Sequence, residues 1–361
     1  MQLRIPGPTP CPDEVLKAIG RQMINHRGKE FGALQNRITP KLQQCFQTRN
    51  DLLILTTSGT GGLESAVVNM LSPGDKVLGI SIGIFGDRFA ECAKVYGAEV
   101  IPLKYEWGQA VNPDDVKKAL KDNPDVKAVL VTHNETSTGT TNPLKEIALV
   151  VKEAGKLILV DAVSSMSSID VQVDAWDLDV VISGSQKGWM VPPGLAFASV
   201  SAEAWKAHEK AKMPRFYFDY TRAKKFVPDG QTPWTPAVSV YFGLDVALDM
   251  MLKEGLPAIF YRHQKVAEKA RKWVKSKGLQ LLAADEKFAS NTVTAVKAPA
   301  DMEVSKFTGA LRDEYQVVIA GGQGGMKGKV FRIGHLGFVT EKDMDEVLAA
   351  MDKALPRAKK E

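Results

Sequence analysis

The run Val180-Val181-Ile182 passes directly into Ser183-Gly184-Ser185-Gln186-Lys187-Gly188. A short, uninterrupted β-branched run reads as a strand covered on both faces, as in a parallel sheet packed between helices. Lys187 then stands at the mouth of that strand, flanked by Gly184 and Gly188. A cation there is costly to desolvate unless it has a task. The run Leu157-Ile158-Leu159-Val160 repeats the pattern and ends in Asp161, 26 residues before the lysine.

The same alternation extends outward from these two strands. Strand patterns over 52–56, 76–81, 99–103, 128–132 and 195–200 are interleaved with helical patterns over 62–71, 88–96, 114–120 and 145–153. Near-continuous apolar strands alternating with helices predict an α/β fold, a mostly parallel central sheet with helices on both faces. After about residue 250 the character changes. A long helical stretch over 261–275 precedes strand patterns at 279–282, 292–296, 317–319 and 330–333, with helices over 305–314 and 341–355. This predicts a large domain over 16–250 and a smaller C-terminal α+β domain over 251–361.

Size and composition agree with that division. The 361 residues suit one large α/β domain plus a smaller one, and 44% hydrophobic with 25% charged residues is typical of a soluble globular chain. The net charge of +5 is dispersed apart from a basic tail over 353–360, which reads as a solvated terminus. No basic stripe or aromatic platform suggests nucleic-acid binding. The N-terminus has no signal-peptide core, and no apolar stretch approaches the ~18 residues a membrane span needs. Cys11, Cys45 and Cys92 form no CxxC, disulfide framework or Cys/His metal spacing, so the expectation is a reducing cytoplasm and no metal.

Several strand ends carry groups suited to chemistry. Thr56-Thr57-Ser58-Gly59-Thr60-Gly61-Gly62 is a βα turn whose small residues and helix-start N–H groups suit a phosphate; such turns also serve simply as helix caps. It matches neither a P-loop nor the dinucleotide fingerprint. Phe85, after the next strand, is either core or a stacking surface for a planar ring. The loop Thr132-His133-Asn134-Glu135-Thr136-Ser137-Thr138-Gly139 is dense in polar groups, and a Thr136 hydroxyl could donate to a ring oxygen. Asp161 could cap a helix or hold a ring nitrogen. A lysine and an aspartate at neighbouring strand mouths are what pyridoxal phosphate chemistry requires: an amine that forms a Schiff base with the aldehyde, and a carboxylate that keeps the pyridine nitrogen protonated. Ligands bind at the carboxyl edge of open α/β sheets, and all these groups fall there. Arg332, between Val330 and Ile333 after the loop 321–328, should be partly buried, and a buried guanidinium wants a carboxylate, either from a structural ion pair or from a ligand.

With these motifs in place, the chain resembles the class-V aminotransferases of fold type I, in particular the alanine–glyoxylate and serine–glyoxylate (serine–pyruvate) group. The resemblance runs nearly end to end, through Pro6-Gly7-Pro8-Thr9-Pro10, His26-Arg27-Gly28-Lys29-Glu30-Phe31, Ser58-Gly59-Thr60-Gly61, Ser183-Gly184-Ser185-Gln186-Lys187, Gln231-Thr232-Pro233-Trp234 and Phe331-Arg332-Ile333-Gly334-His335. It implies pyridoxal 5'-phosphate as cofactor, Lys187 as Schiff-base lysine and proton shuttle, and Asp161 at the pyridine nitrogen. It places the phosphate on Thr60 and Gly61 with help from Gln186, the ring on Phe85, where relatives often carry tryptophan, and the ring oxygen at Thr136. Gln231 and Thr232 would reach the phosphate of a neighbouring subunit, which implies a homodimer with shared sites. Arg332 would grip the substrate carboxylate, and Gly7, in an N-terminal arm over 1–15, would lie beside it.

The implied reaction is a ping-pong transamination from alanine or serine to glyoxylate or pyruvate. Two alternatives stand beside it. A lyase of the cysteine desulfurase type would use a late cysteine and often a histidine before the lysine, whereas here Cys92 is the last cysteine and Gln186 precedes Lys187. A non-catalytic partner subunit would have no need of Lys187, Asp161 and Arg332 together.

Overall fold

The computed structural model describes residues 1–359, so Lys360 of the basic tail lies outside the described residues. The centre of the molecule is a seven-stranded sheet in the order Asp51–Leu55, Ala196–Val200, Val180–Gly184, Leu157–Asp161, Ala128–Thr132, Lys76–Ser81, Glu99–Lys104. Every adjacent pair is parallel except those made by Ala196–Val200, which runs against both its neighbours. The predicted mostly parallel α/β sheet is thus the fold of the protein.

Side-chain alternation explains why both faces are covered. Val129, Val131, Ile158, Val160 and Val181 enter one core, while Ala128, Leu130, Leu159, Val180 and Ile182 enter the other. Each fully buried aliphatic side chain contributes roughly 1.5–3 kcal/mol, so a polar residue within these runs would be expelled. Glu99–Lys104, at one edge, is half exposed along its length.

The link between Val180–Gly184 and Ala196–Val200 is short because the strands are antiparallel, and it carries Lys187. It is held at several points. Ser185 Oγ donates to Pro192 O and accepts from Leu195 N, and buried Trp189 donates its indole N–H to Ser183 Oγ at 2.8 Å. Gly188 cannot gain a Cβ, because that atom would strike the Ser167 and Ser168 hydroxyls and lie 2.9 Å from Met166 O.

A second sheet has the order Gln2–Arg4, Val317–Gly321, Val330–Gly334, Val293–Lys297, Gln280–Leu281. Its first strand comes from the N-terminus and pairs in parallel, Gln2 opposite Val317 and Arg4 opposite Ile319. No strand pattern announces those three residues. The core beneath this sheet is formed by residues from Val266 onward, with Phe307, Phe331, Ile333 and Met344 fully buried. The last helix, Glu341–Ala354, opens on a capping box between Thr340 and Asp343. Two long helices, Lys29–Phe46 and Val238–Glu254, also go beyond the sequence reading; they pack on each other and, at Gly243, against Ile19. Among the described residues, no helix is long and apolar enough to cross a membrane.

Candidate active site

The helix Gly59–Met70 begins at the carboxyl edge of the large sheet. Ser58 caps it, its hydroxyl accepting from Gly61 N at 3.3 Å. The glycines let this helix start settle onto the sheet: a Cβ on Gly59 would lie 2.9 Å from Val163, and one on Gly62 2.7 Å from Ile182. This helix start lines a cleft of about 520 Å³, part of it open to solvent. Thr60, Phe85, Thr136, Asp161, Gln186 and Lys187 all line it.

Asp161 is buried at the end of its strand. Its Oδ1 accepts from Val163 N at 3.0 Å, and Thr132 Oγ1 stands 3.4 Å from Oδ2. Burial pushes its carboxyl up to about 6, against the pull of the Val163 N–H, and the charge of Glu135 adds to the rise. Burial also brings the Lys187 amine down to about 8, opposed by Asp161 and assisted by Arg332 and Arg88. The lysine is closed in by the N-terminal arm. Its Nζ donates to Pro6 O, and Gly7, at φ +135°, lies so close that a Cβ would be 2.6 Å from Nζ. Thr9 secures the arm, donating its hydroxyl to Lys187 O at 2.8 Å and its N–H to Gln186 O at 3.0 Å.

The polar loop after Ala128–Thr132 contains a residue to which sequence reasoning gave no role. Glu135 is completely buried; Oε2 accepts from Phe85 N (2.9 Å) and Gly86 N (3.1 Å), and Oε1 from Ser137 N (3.0 Å) and Ser137 Oγ (2.5 Å). Ser137 Oγ in turn accepts from Ile84 N. Together these acceptors take the first N–H groups of the helix Ile84–Val95 and fix Phe85 as one wall of the cleft. Arg88, also unassigned in the sequence reading, lines the cleft one turn further along that helix. Its signal was the spacing alone: Phe85 and Arg88 are three residues apart and share a helical face.

Arg332 sits in the middle of the second sheet, paired with both Ala295 and Ala320. Its buried guanidinium donates to Gly321 O (3.0 Å), Thr136 O (3.1 Å) and Gln323 Oε1 (3.2 Å). All three acceptors are neutral, and no carboxylate among the described residues pairs with it. The bond to Thr136 places it beside the cleft wall. Gln231 and Thr232 do not line this cleft. Arg27 grips their loop through Gln231 Oε1 and Thr232 O, and Thr232 Oγ1 donates to Trp234 O. His335 is likewise outside it, buried between Thr294 Oγ1 and Asn291 O with its pKa lowered to about 3 by burial.

The cleft fits pyridoxal phosphate. The Oε1 of Gln186 is buried without a hydrogen-bond partner among the described residues; a phosphate oxygen cannot donate to it, so Gln186 would serve an anion only through its NH2 group. The glycine-lined turn offers N–H groups to an anion, Phe85 an aromatic wall, and Asp161 a carboxylate able to hold a protonated ring nitrogen.

Comparison with known proteins agrees with this geometry. Residues 3–346 match the family model described as aminotransferase class-V. A protein described as the small subunit of a soluble hydrogenase from Synechococcus sp. (strain PCC 6716) is 45% identical, over 98% of this chain and 92% of its own. A serine–glyoxylate aminotransferase from Methylorubrum extorquens is 36% identical over 98% of this chain and 90% of its own. The crystal structure of pyridoxamine–pyruvate aminotransferase from Mesorhizobium loti superposes with a TM-score of 0.94 at 31% identity, covering 99% of this chain and 92% of that one.

Proposed function

Because the chain belongs to the class-V aminotransferases, whose cofactor is pyridoxal phosphate, we propose that it transfers the amino group of alanine or serine to glyoxylate or pyruvate. The observation that carries this reading is a cleft lined by Lys187 and Asp161 with the buried Arg332, bonded only to neutral acceptors, set behind its wall at Thr136. The bound cofactor supplies an electron-accepting ring on which the amino group is carried between the two half reactions. Lys187 anchors it and shuttles the α-proton; an amine titrating at about 8 is partly neutral near pH 7 and able to accept one. Asp161 keeps the ring nitrogen protonated, Thr136 holds the ring oxygen, Phe85 covers the ring face, and Thr60, Gly61 and Gln186 hold the phosphate. Arg332 reads the α-carboxylate common to donor and acceptor, which is how one site serves both halves of a ping-pong cycle. Gly7, packed against the Lys187 amine, would lie beside the substrate. Gln231 and Thr232 belong to the cofactor site of a second copy, so the active species is a homodimer. We place this chemistry in the cytoplasm.

The test is a panel of amino donors against 2-oxo acids, followed through the absorbance of the bound cofactor. Alanine or serine should change the spectrum and release a keto acid without ammonia, and glyoxylate or pyruvate should restore it. Lys187→Ala should abolish turnover with the circular dichroism spectrum intact. Normal turnover in that variant rejects the assignment, ammonia release favours a lyase, and a chain that takes up no cofactor would be the partner subunit suggested by the hydrogenase description of the cyanobacterial relative.

A further inference from the structure

The residues assigned above to the phosphate of the cofactor share one property: they are neutral. Thr60 offers a hydroxyl, Gly61 a backbone N–H that Ser58 Oγ holds in this structure, and Gln186 an amide. A phosphate monoester carries about 1.5–2 negative charges near neutral pH. Helix-start N–H groups attract such an anion, but a partly enclosed dianion with no cation in contact is costly to hold.

The geometry points to Arg88 as the missing cation, a cofactor-binding residue whose guanidinium faces the phosphate end of the cleft. This inference rests on the cofactor reading given above. Three observations carry it. Arg88 lines the same cleft as Ser58, Gly59 and Thr60. Its Nη1 lies 3.4 Å from Thr60 Oγ1, and its guanidinium carbon is 4.7 Å from the centroid of the Phe85 ring. The ring thus supports the planar guanidinium against the helix start, an arrangement that cation–π attraction stabilises. No carboxylate among the described residues pairs with Arg88, although its neighbour Asp87 pairs with Lys104 at 2.7 Å. The 3.4 Å contact to a neutral hydroxyl is long and leaves most of the guanidinium donors unused. A planar fork of donors matches phosphate oxygens, and Thr60 can turn its hydroxyl toward the same anion.

The experiment separates the phosphate from the rest of the cofactor. The full-length chain and its Arg88→Gln and Arg88→Lys variants are titrated with pyridoxal 5'-phosphate and with pyridoxal, read by absorbance and by quenching of tryptophan fluorescence. Arg88→Gln is expected to weaken binding of the phosphorylated compound about 10- to 100-fold, the usual worth of a hydrogen bond to a charged group. Pyridoxal binding should change less than about twofold, and Arg88→Lys should recover much of the loss. Unchanged affinity for the phosphorylated compound overturns the assignment, and so does an equal loss for both compounds, which would mean that Arg88 only braces Phe85. A defect confined to the KM of dicarboxylic amino acids also overturns it, because Arg88 would then read a substrate. If the wild-type chain binds neither compound, the cofactor reading itself fails, an outcome distinct from wild-type binding that Arg88→Gln leaves intact.

Discussion

Lys187 shows what burying an amine does to stability. In solution a lysine titrates near 10.5; burial brings this one to about 8. Below pH 8 both folded and unfolded chains carry the proton, and the folded state bears the full cost of a buried cation. Between about 8 and 10.5 only the unfolded chain binds it, so stability rises with pH across that window. Asp161 acts in the opposite sense lower down: between 3.8 and about 6 the folded state holds the extra proton, and stability falls as pH rises. The cofactor-free Lys187→Met chain, which keeps the aliphatic stem, should therefore be more stable than wild type at pH 7, by up to ~3 kcal/mol. The gain should vanish as the pH approaches 10.5. Urea unfolding at pH 7 and pH 10 measures both quantities. Lys187 and Asp161 were legible in the sequence because each directly ends an apolar strand. Arg88 was not, since an arginine on an amphipathic helix looks like any solvated charge until the helix start is fixed in space.

At the scale of elements, the start of the helix Ile84–Val95 depends on a loop 50 residues later in the chain. Glu135 and Ser137 supply the acceptors for its first turn, and Gly83 makes room for them: a Cβ there would lie 2.6 Å from Glu135 Cγ. Glu135→Ala should leave these buried N–H groups unsatisfied and cost roughly 2–4 kcal/mol in thermal or urea unfolding. If Phe85 covers the cofactor ring as proposed, the variant should also weaken cofactor binding, because Phe85 loses its anchor. The strands of the large sheet, from Asp51–Leu55 to Ala196–Val200, were legible because both-face burial writes itself as continuous apolar runs. The role of Glu135 was hidden: in sequence it is one polar residue in a polar turn, and its meaning comes only from tertiary packing. Lys29–Phe46 was obscured by Gly32 and Pro40, whereas tertiary contacts keep it helical.

At the scale of the whole molecule, the segment carrying Gln231 and Thr232 stands apart from the Lys187 cleft, held by Arg27 and Gln35. If each site borrows this segment from a second copy, two crippled chains should repair one another. A Lys187→Ala chain mixed with a Gln231→Ala/Thr232→Ala chain should regain about a quarter of wild-type activity at equal proportions, since half the dimers are hybrids with one intact site. Mixtures that stay inactive after subunit exchange would argue for self-contained sites.

The pairing of Gln2 with Val317 has a consequence for biosynthesis. The strand Gln2–Arg4 has no partner until more than 300 further residues have been translated. Pro6, Gly7 and Thr9, which enclose Lys187, follow that strand directly. The nascent large sheet can form early, but the arm closes over it only when synthesis is nearly over, so the enclosure around Lys187 is assembled last.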